Sequence, residues 1–276
     1  MAPRDFRPVY QRVLDDLQAQ ITGGELAPGD ALPSEEELAD KYGVSRTSVR
    51  GAVRILRDAG IVEVRRPLGT FVRKQPVRTV RAPSERYQWE KDRALKPLEE
   101  RLATGTSERE SGLDTPELEF NAKYTVVPAT DRVASALKIA PGSEVLQRVY
   151  VTSSKDSGTA IGGSESYIPL ELLESNPKLL DEANEPWPGG THHQLSTVGI
   201  EIESITDNIT ARMPSTDEKD SMKIPDGTPV FEIQKLSTDT LGRKVECSFI
   251  VLPGDRAELE YTVRLDRWEA APNADN

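Results

Sequence analysis

Residues 45–50, Ser45-Arg46-Thr47-Ser48-Val49-Arg50, pack two guanidinium groups and three hydroxyls into a turn and a half of chain. An arginine fork matches the O6 and N7 acceptors of guanine, and serine or threonine can meet either a base or a phosphate. Further along, Arg65 and Arg66 stand beside a Pro67-Leu68-Gly69 turn and are followed by Thr70, a basic tip suited to a DNA backbone or minor groove. These types and spacings describe nucleic-acid reading.

Other chemistries are poorly served. His192 and His193 are the only histidines, and adjacent residues on a helix point to different sides, so a shared metal is not expected. The single cysteine, Cys247, sits in an apolar, strand-like run and reads as a buried thiol that cannot form an internal disulfide. Gly162-Gly163 is too short to cradle a phosphate, and no nucleophile elbow or metal-ligand cluster is evident. No catalytic residue, metal or cofactor is expected.

The elements that must position the arginines are legible. Val9, Val13, Leu14, Leu17 and Ile21 recur at helical spacing and stop at Gly23-Gly24. Ser34 followed by Glu37 is a capping box opening a short second helix, which closes at Tyr42-Gly43. A third helix starts at Ser45, buries Val49, Val53 and Leu56, and leaves Arg46, Thr47 and Arg50 on another face of its first turns, where a recognition helix meets base edges. Arg54 and Arg57 fit a solvated face. The alternating Ile61–Val64 and Thr70–Arg73 predict a hairpin.

Net charge over the 276 residues is −11, which opposes binding to phosphate, but residues 1–82 sum to +3 and the remainder to −14. Only the first part can face DNA. Between Gln75 and Pro116 apolar residues thin out and prolines recur, predicting a linker with flexible parts in which Tyr87, Trp89 and the charged run Glu90–Arg93 form a short helix or a docking segment. Beyond it, strand-like runs at Leu118–Val127, Val145–Ser153, Thr159–Ile168, Ile200–Ala211, Pro229–Asp239, Lys244–Leu252 and Glu258–Arg264, with helices near Arg132–Leu137, Leu170–Leu173 and His192–Thr197, predict an α+β domain with a largely antiparallel sheet. No apolar run approaches the roughly 20 residues that span a bilayer, so a cytoplasmic protein without membrane contact is expected. The expected organisation is residues 1–75, a linker at 76–114, a second domain at 115–268 and a disordered tail at 269–276.

Leu32-Pro33-Ser34-Glu35, Ser45-Arg46-Thr47-Ser48-Val49-Arg50 and Gly69-Thr70-Phe71-Val72 resemble the GntR-family winged helix-turn-helix over residues 8–74. The resemblance implies DNA contacts from Ser34, Ser45, Arg46, Thr47, Ser48, Arg50, Arg65, Arg66, Gly69 and Thr70. Two positions depart from the family pattern: Glu36 stands where an arginine that contacts DNA is usual, and Pro67 where the wing usually has glycine. An acid at Glu36 repels phosphate, which shifts binding onto the remaining arginines.

The second domain resembles the UTRA effector domain of HutC-type GntR regulators through Gly142–Tyr150, Glu165-Ser166-Tyr167-Ile168-Pro169, Val245-Glu246-Cys247-Ser248 and Pro253-Gly254-Asp255-Arg256. That resemblance implies a chorismate lyase-like fold, a small-molecule effector held beside the sheet, and a homodimer. It implies effector contacts from Arg148, Glu165, Tyr167, Glu246 and Ser248, with Arg148 meeting an acidic group. Arg148 and Glu165 equally suit a cross-strand ion pair, and Tyr167 a sheet aromatic. Tyr150 stands where sugar-phosphate-binding relatives have a second arginine, which speaks against a phosphorylated effector. The expected function is a repressor released from double-stranded operator DNA by its effector; a constitutive DNA-binding dimer, or a lyase-like enzyme joined to a DNA reader, are the alternatives.

Overall fold

The computed structural model describes residues 8–74, 78–103, 105–156 and 158–265; the expected tail at 269–276 and the expected boundary at 75/76 lie outside them. The N-terminal domain is built from α1 (Val9–Thr22), α2 (Glu35–Tyr42), α3 (Arg46–Asp58) and a hairpin of β1 (Val62–Arg65) and β2 (Gly69–Val72). Its helices form where their apolar spacing demands. Val13 and Leu17 of α1, Leu38 of α2, and Val49, Ala52 and Leu56 of α3 meet with Val62 and Val72 of the hairpin in one core. Each such leucine contributes about 1.5–3 kcal/mol on burial. Ser34 and Glu37 form the expected capping box, and Gly43 at φ 61° ends α2 in the left-handed conformation that a tight turn to α3 requires.

The segment expected as a linker carries regular structure. It contains β3 (Thr79–Arg81), α4 (Pro83–Ala94), α5 (Leu98–Ala103) and α6 (Thr106–Ser111). Pro83 opens α4 at a position where its missing N–H costs nothing.

The second domain centres on β4 (Leu118–Pro128), β5 (Glu144–Ser154), β6 (Ala160–Pro169), β7 (Ile202–Arg212), β8 (Val230–Asp239) and β9 (Lys244–Pro253). They form one sheet in the order β4-β5-β6-β9-β8-β7, every neighbour antiparallel. α7 (Asp131–Leu137) and α9 (Thr216–Ser221) lie on one side, and α8 (Gly190–Ser196) on the other. Val133 and Leu137 of α7 pack on Val145, Cys247 and Phe249. Leu195 of α8 packs on Leu146 and Ile168 from the opposite face. The last expected strand, Glu258–Arg264, is shorter than its alternation suggests: β10 spans only Ala257–Leu259 and pairs in parallel with β3, outside the main sheet. The turn at Gly254–Arg256 turns the chain away from β9, and both edges of the main sheet are already held by β4 and β7.

Candidate DNA-reading surface and effector cavity

Ser45 caps α3, its hydroxyl accepting from the Ser48 amide at 3.2 Å, so the first turn carrying Arg46 and Thr47 is fixed by its own cap. Arg46 and Arg50 project outward, and both are paired with the start of α2. Arg50 donates to Glu35 at 2.7–3.1 Å, and Arg46 Nη2 lies 2.5 Å from Glu36. Their side chains remain 69% and 56% exposed. Pairs this open contribute little to stability, so phosphate or guanine can displace the carboxylates at small cost. The departure at Glu36 thus has a structural consequence: the acid pairs with Arg46 at the start of α3. Glu35, unremarkable in sequence, does the same for Arg50 because one turn of α2 separates neither acid far from the α3 N-terminus.

In the wing, Arg65 lies over the Phe71 ring at 4.8 Å and is ion-paired with Glu63. Arg65 pairs across the hairpin with Gly69, whose φ of 119° is reserved for glycine. Arg66 and Thr70 flank that turn, completing a basic tip beside the α3 surface. Ser34 sits at the α2 cap, where its hydroxyl accepts from the Glu37 amide at 3.2 Å.

On the sheet, strand register aligns Tyr124, Arg148, Ser166, Ser248, Lys235 and Asp207 as one row across all six strands. Glu246, two residues from Ser248 on β9, shares that face. Arg148 and Glu246 are each 1% exposed. Arg148 donates to Glu246 at 2.7 Å, to Ser166 at 2.7 Å and to Gln194 at 2.6 Å, while the second Glu246 oxygen accepts from Lys235 at 2.9 Å and Ser237 at 3.0 Å. Burial opposes the Glu246 charge, but Lys235 and Arg148 outweigh it and hold the carboxyl well below the usual range.

Above this row lies a cavity of about 370 Å³ reached by Ser166, Glu246, Ser248 and Lys235 from the sheet. Much of its remaining wall comes from the 76–114 segment, which supplies Arg81, Arg86, Glu90, Arg93 and Arg101, and from the stretch 185–194, with Phe120, Tyr150 and Ile250 adding to the sheet side. α4, which carries Arg86, Glu90 and Arg93, packs on α8 beside it. Tyr87 donates to Asp207 at 2.6 Å and accepts from Arg81 at 2.6 Å, and Trp89 lies between the guanidinium groups of Arg93 and Arg109 at 4.9 and 4.8 Å. Those contacts account for the aromatics of the segment. Glu185 gathers donors from Tyr124, from Tyr150 at 3.1 Å and from Gln194 at 2.9 Å. Burial pushes Tyr124 up to about 12 and Tyr150 well up, and pushes His192 down, so the tyrosines and His192 are neutral hydrogen-bonding groups near pH 7.

The structure divides the expected effector residues between two faces of the sheet. Glu165 and Tyr167 do not join Arg148, Glu246 and Ser248, because side chains alternate along β6 and these two face the other way. They line a second cavity of about 380 Å³ with Phe249, Val149 and Arg132, and Tyr167 donates to Glu165 at 2.8 Å. Arg148 is neutralised by Glu246 instead of Glu165, and both Nη groups are engaged, with only Nε lacking a protein partner. It is therefore a fixed support of the cavity floor, poorly placed to meet an acidic ligand head-on. Sequence reasoning missed Arg81, Arg101, Glu185 and Lys235; the aromatic and charged run at Tyr87–Arg93 was the one signal pointing toward the first of these walls.

Among the described residues, no group of three or more His, Cys, Asp or Glu side chains could hold a metal, and no helix is long and apolar enough to cross a membrane.

A winged helix-turn-helix joined to a cavity-bearing α+β domain defines a DNA-binding transcriptional regulator with a built-in sensor. Residues 121–258, half of the chain, match the UTRA domain, and the chain belongs to that family; residues 9–72 match the model of the bacterial regulatory proteins, gntR family. The mannosyl-D-glycerate transport/metabolism system repressor MngR of Escherichia coli is 29% identical, with 82% of this chain and 83% of MngR aligned. The repressor NagR of Bacillus subtilis is 27% identical over 90% of this chain and 92% of NagR. A crystal structure of a GntR-family transcriptional regulator superposes with a TM-score of 0.63 at 26% identity, covering 94% of this chain and 99% of its own.

Proposed function

We propose that this chain is a HutC-like homodimeric repressor of the cytoplasm, released from a near-palindromic operator when a small effector enters the 370 Å³ cavity. Residues 1–75 read DNA, 115–268 sense the effector and dimerise, and 76–114 connect them. The observation that carries this reading is that the connector itself walls the cavity: Arg81, Arg86, Glu90, Arg93 and Arg101 face the same space as Ser166, Glu246 and Ser248. A ligand there touches both the sheet and the only covalent route to the winged domain. Binding of that kind can favour one arrangement of the reader over another, with a coupling of typically about 1–3 kcal/mol that DNA and effector exert on each other equally.

The set of DNA contacts is Ser34, Ser45, Arg46, Thr47, Ser48, Arg50, Arg65, Arg66, Gly69 and Thr70. For the effector, the placement favours Glu246 and Ser248 as direct contacts and Arg148 as their support. Glu246, Glu185 and Arg148 suit binding more than turnover, since each is already held by several hydrogen-bond partners. Relatives named as repressors support the same choice over a constitutive binder.

Selection of bound sequences from a random duplex pool with the purified protein, followed by a metabolite screen for release of the winning site, tests this. A two-fold-related winner released by one compound is expected. A single asymmetric half-site protected by a monomer would defeat the dimeric repressor.

A further inference from the structure

The turn Pro253-Gly254-Asp255-Arg256 lies outside the cavity lining, yet it is where the two domains meet. Arg73, one residue beyond β2 of the wing, donates to Asp255 at 2.5 Å across 182 positions of sequence, and both side chains are largely buried, 13% and 15% exposed. Asp255 also accepts from Arg256 Nε at 3.0 Å. Arg256 is 1% exposed and donates to the Ala160 carbonyl at 2.9 Å, so the turn is anchored to the start of β6. A second contact lies nearby. Gly227, at φ 76°, approaches the end of the recognition helix so closely that a Cβ there would lie 1.7 Å from the Asp58 carbonyl oxygen.

The same turn grips the connector. The Arg256 carbonyl accepts from the Thr79 amide at 2.8 Å and hydroxyl at 3.2 Å, which starts the parallel pairing of β3 with β10. Two residues on, Arg81 is 4% exposed, lines the cavity, and has an Nε with no protein partner. Strand β3 thus has one end in the cavity wall and the other on the residue beside Asp255.

We infer that Asp255 and Arg256 form a socket that holds the winged domain in one orientation through Arg73, and that occupancy of the cavity reaches the DNA reader through Arg81, β3 and this socket. The route rests on the sensor reading above, but the socket stands on its own contacts. It is a short chain of discrete bonds ending in an ion pair that is either made or broken, the kind of two-state element that coupling requires. A ligand bonding to Arg81 Nε displaces a three-residue strand whose other end is held by Arg256.

Spin labels on the full-length protein at Arg54→Cys, exposed on α3, and Leu241→Cys, in the exposed β8–β9 turn, report the interdomain distance without effector or DNA. Cys247 is fully buried and stays unlabelled. The parent is expected to give one narrow distribution. Asp255→Asn and Arg73→Glu should each broaden or shift it, and Arg73→Glu combined with Asp255→Arg should recover it. Gly227→Ala, which forces apart the second contact, should shift it as well, and Arg81→Gln should move it from the cavity side. A distribution unchanged by Asp255→Asn and by Gly227→Ala would overturn the socket. A distribution sensitive to Asp255→Asn yet indifferent to Arg81→Gln would overturn the route from the cavity. Either result is separable from the repressor reading, which depends on DNA selection and release.

Discussion

Replacing Glu246 by Gln tests the buried row under the cavity. The carboxylate receives Arg148 and Ser166 at 2.7 Å on one oxygen and Lys235 at 2.9 Å and Ser237 at 3.0 Å on the other. The amide keeps the volume but removes the ion-pair partner of two cations, 2% and 13% exposed at their side chains. Removing one partner of such a buried pair costs about 3–5 kcal/mol. In a domain of roughly 150 residues each kcal/mol moves the melting point by about 2–4 °C, so a loss of roughly 6–20 °C is expected in scanning calorimetry of the second domain. The pH dependence carries a definite sign. The Glu246 carboxyl is held below its unfolded value of 4.5, so its contribution is fully present above that pH and fades as pH falls below it. The gap between parent and variant should therefore narrow on acidification from about pH 5. Replacing Arg148, Lys235 and Glu246 together by Met, Met and Leu should recover most of the loss, since apolar replacement of a whole buried ionic cluster is often neutral or better. A Glu246→Gln protein melting within about 2 °C of the parent would refute the argument that the row is a buried, mutually compensated unit.

Three further outcomes follow from the geometry. Glu36→Arg removes the acid paired with Arg46 and adds a cation; the slope of log affinity against log salt should steepen by about 1–2, read by fluorescence anisotropy on the selected duplex. Arg50→Ala should weaken the selected duplex about tenfold or more while leaving a scrambled duplex much less affected, and equal losses on both would show that Arg50 does not read bases. Burial holds His192 below its ordinary 6.5, so protons bind preferentially to the unfolded chain; the second domain should lose stability as pH falls below about 6.5, and His192→Gln should flatten that limb in urea titrations at pH 7.5 and 5.5.

The winged domain was legible because each of its decisions is local. The spacing of Val13, Leu17, Val49 and Leu56 sets which helical faces meet, the Ser34–Glu37 box marks where α2 begins, and Gly43 and Gly69 sit where positive φ is needed. The strands of the sensor were legible for the same reason, to within a residue or two at most ends. The connector was legible only in part: the run Tyr87–Arg93 falls within α4 as expected, but β3, α5 and α6 left no signal. α4 has few apolar positions, and what holds it is polar and remote in sequence: Tyr87 on Asp207, 120 positions away, and Arg86 between Glu90 and Glu110. No periodicity reports such contacts, which arise only after the sheet has placed Asp207 opposite the helix.

The cavity shows how far register outweighs residue type. Glu165 and Tyr167 carry groups as suitable for a ligand as those of Glu246 and Ser248, yet the alternation of β6 sends them to the opposite face. A shift of one residue in the β5–β6 hairpin would exchange Ser166 for a neighbour such as Glu165 beside Arg148 and recreate the ion pair that sequence alone allows. What forbids it is the core: Leu146 and Ile168 pack on Leu195 on one side and Val145 packs on Leu137 on the other, so slippage would expose both sets. The acid that neutralises Arg148 therefore comes from β9, 98 positions away, and not from the adjacent strand segment that sequence proximity suggests. Because that acid also pairs with Lys235, one carboxylate ties β5 and β8 to β9 beneath the cavity, while the connector and residues 185–194 supply walls that the register of the main sheet does not fix.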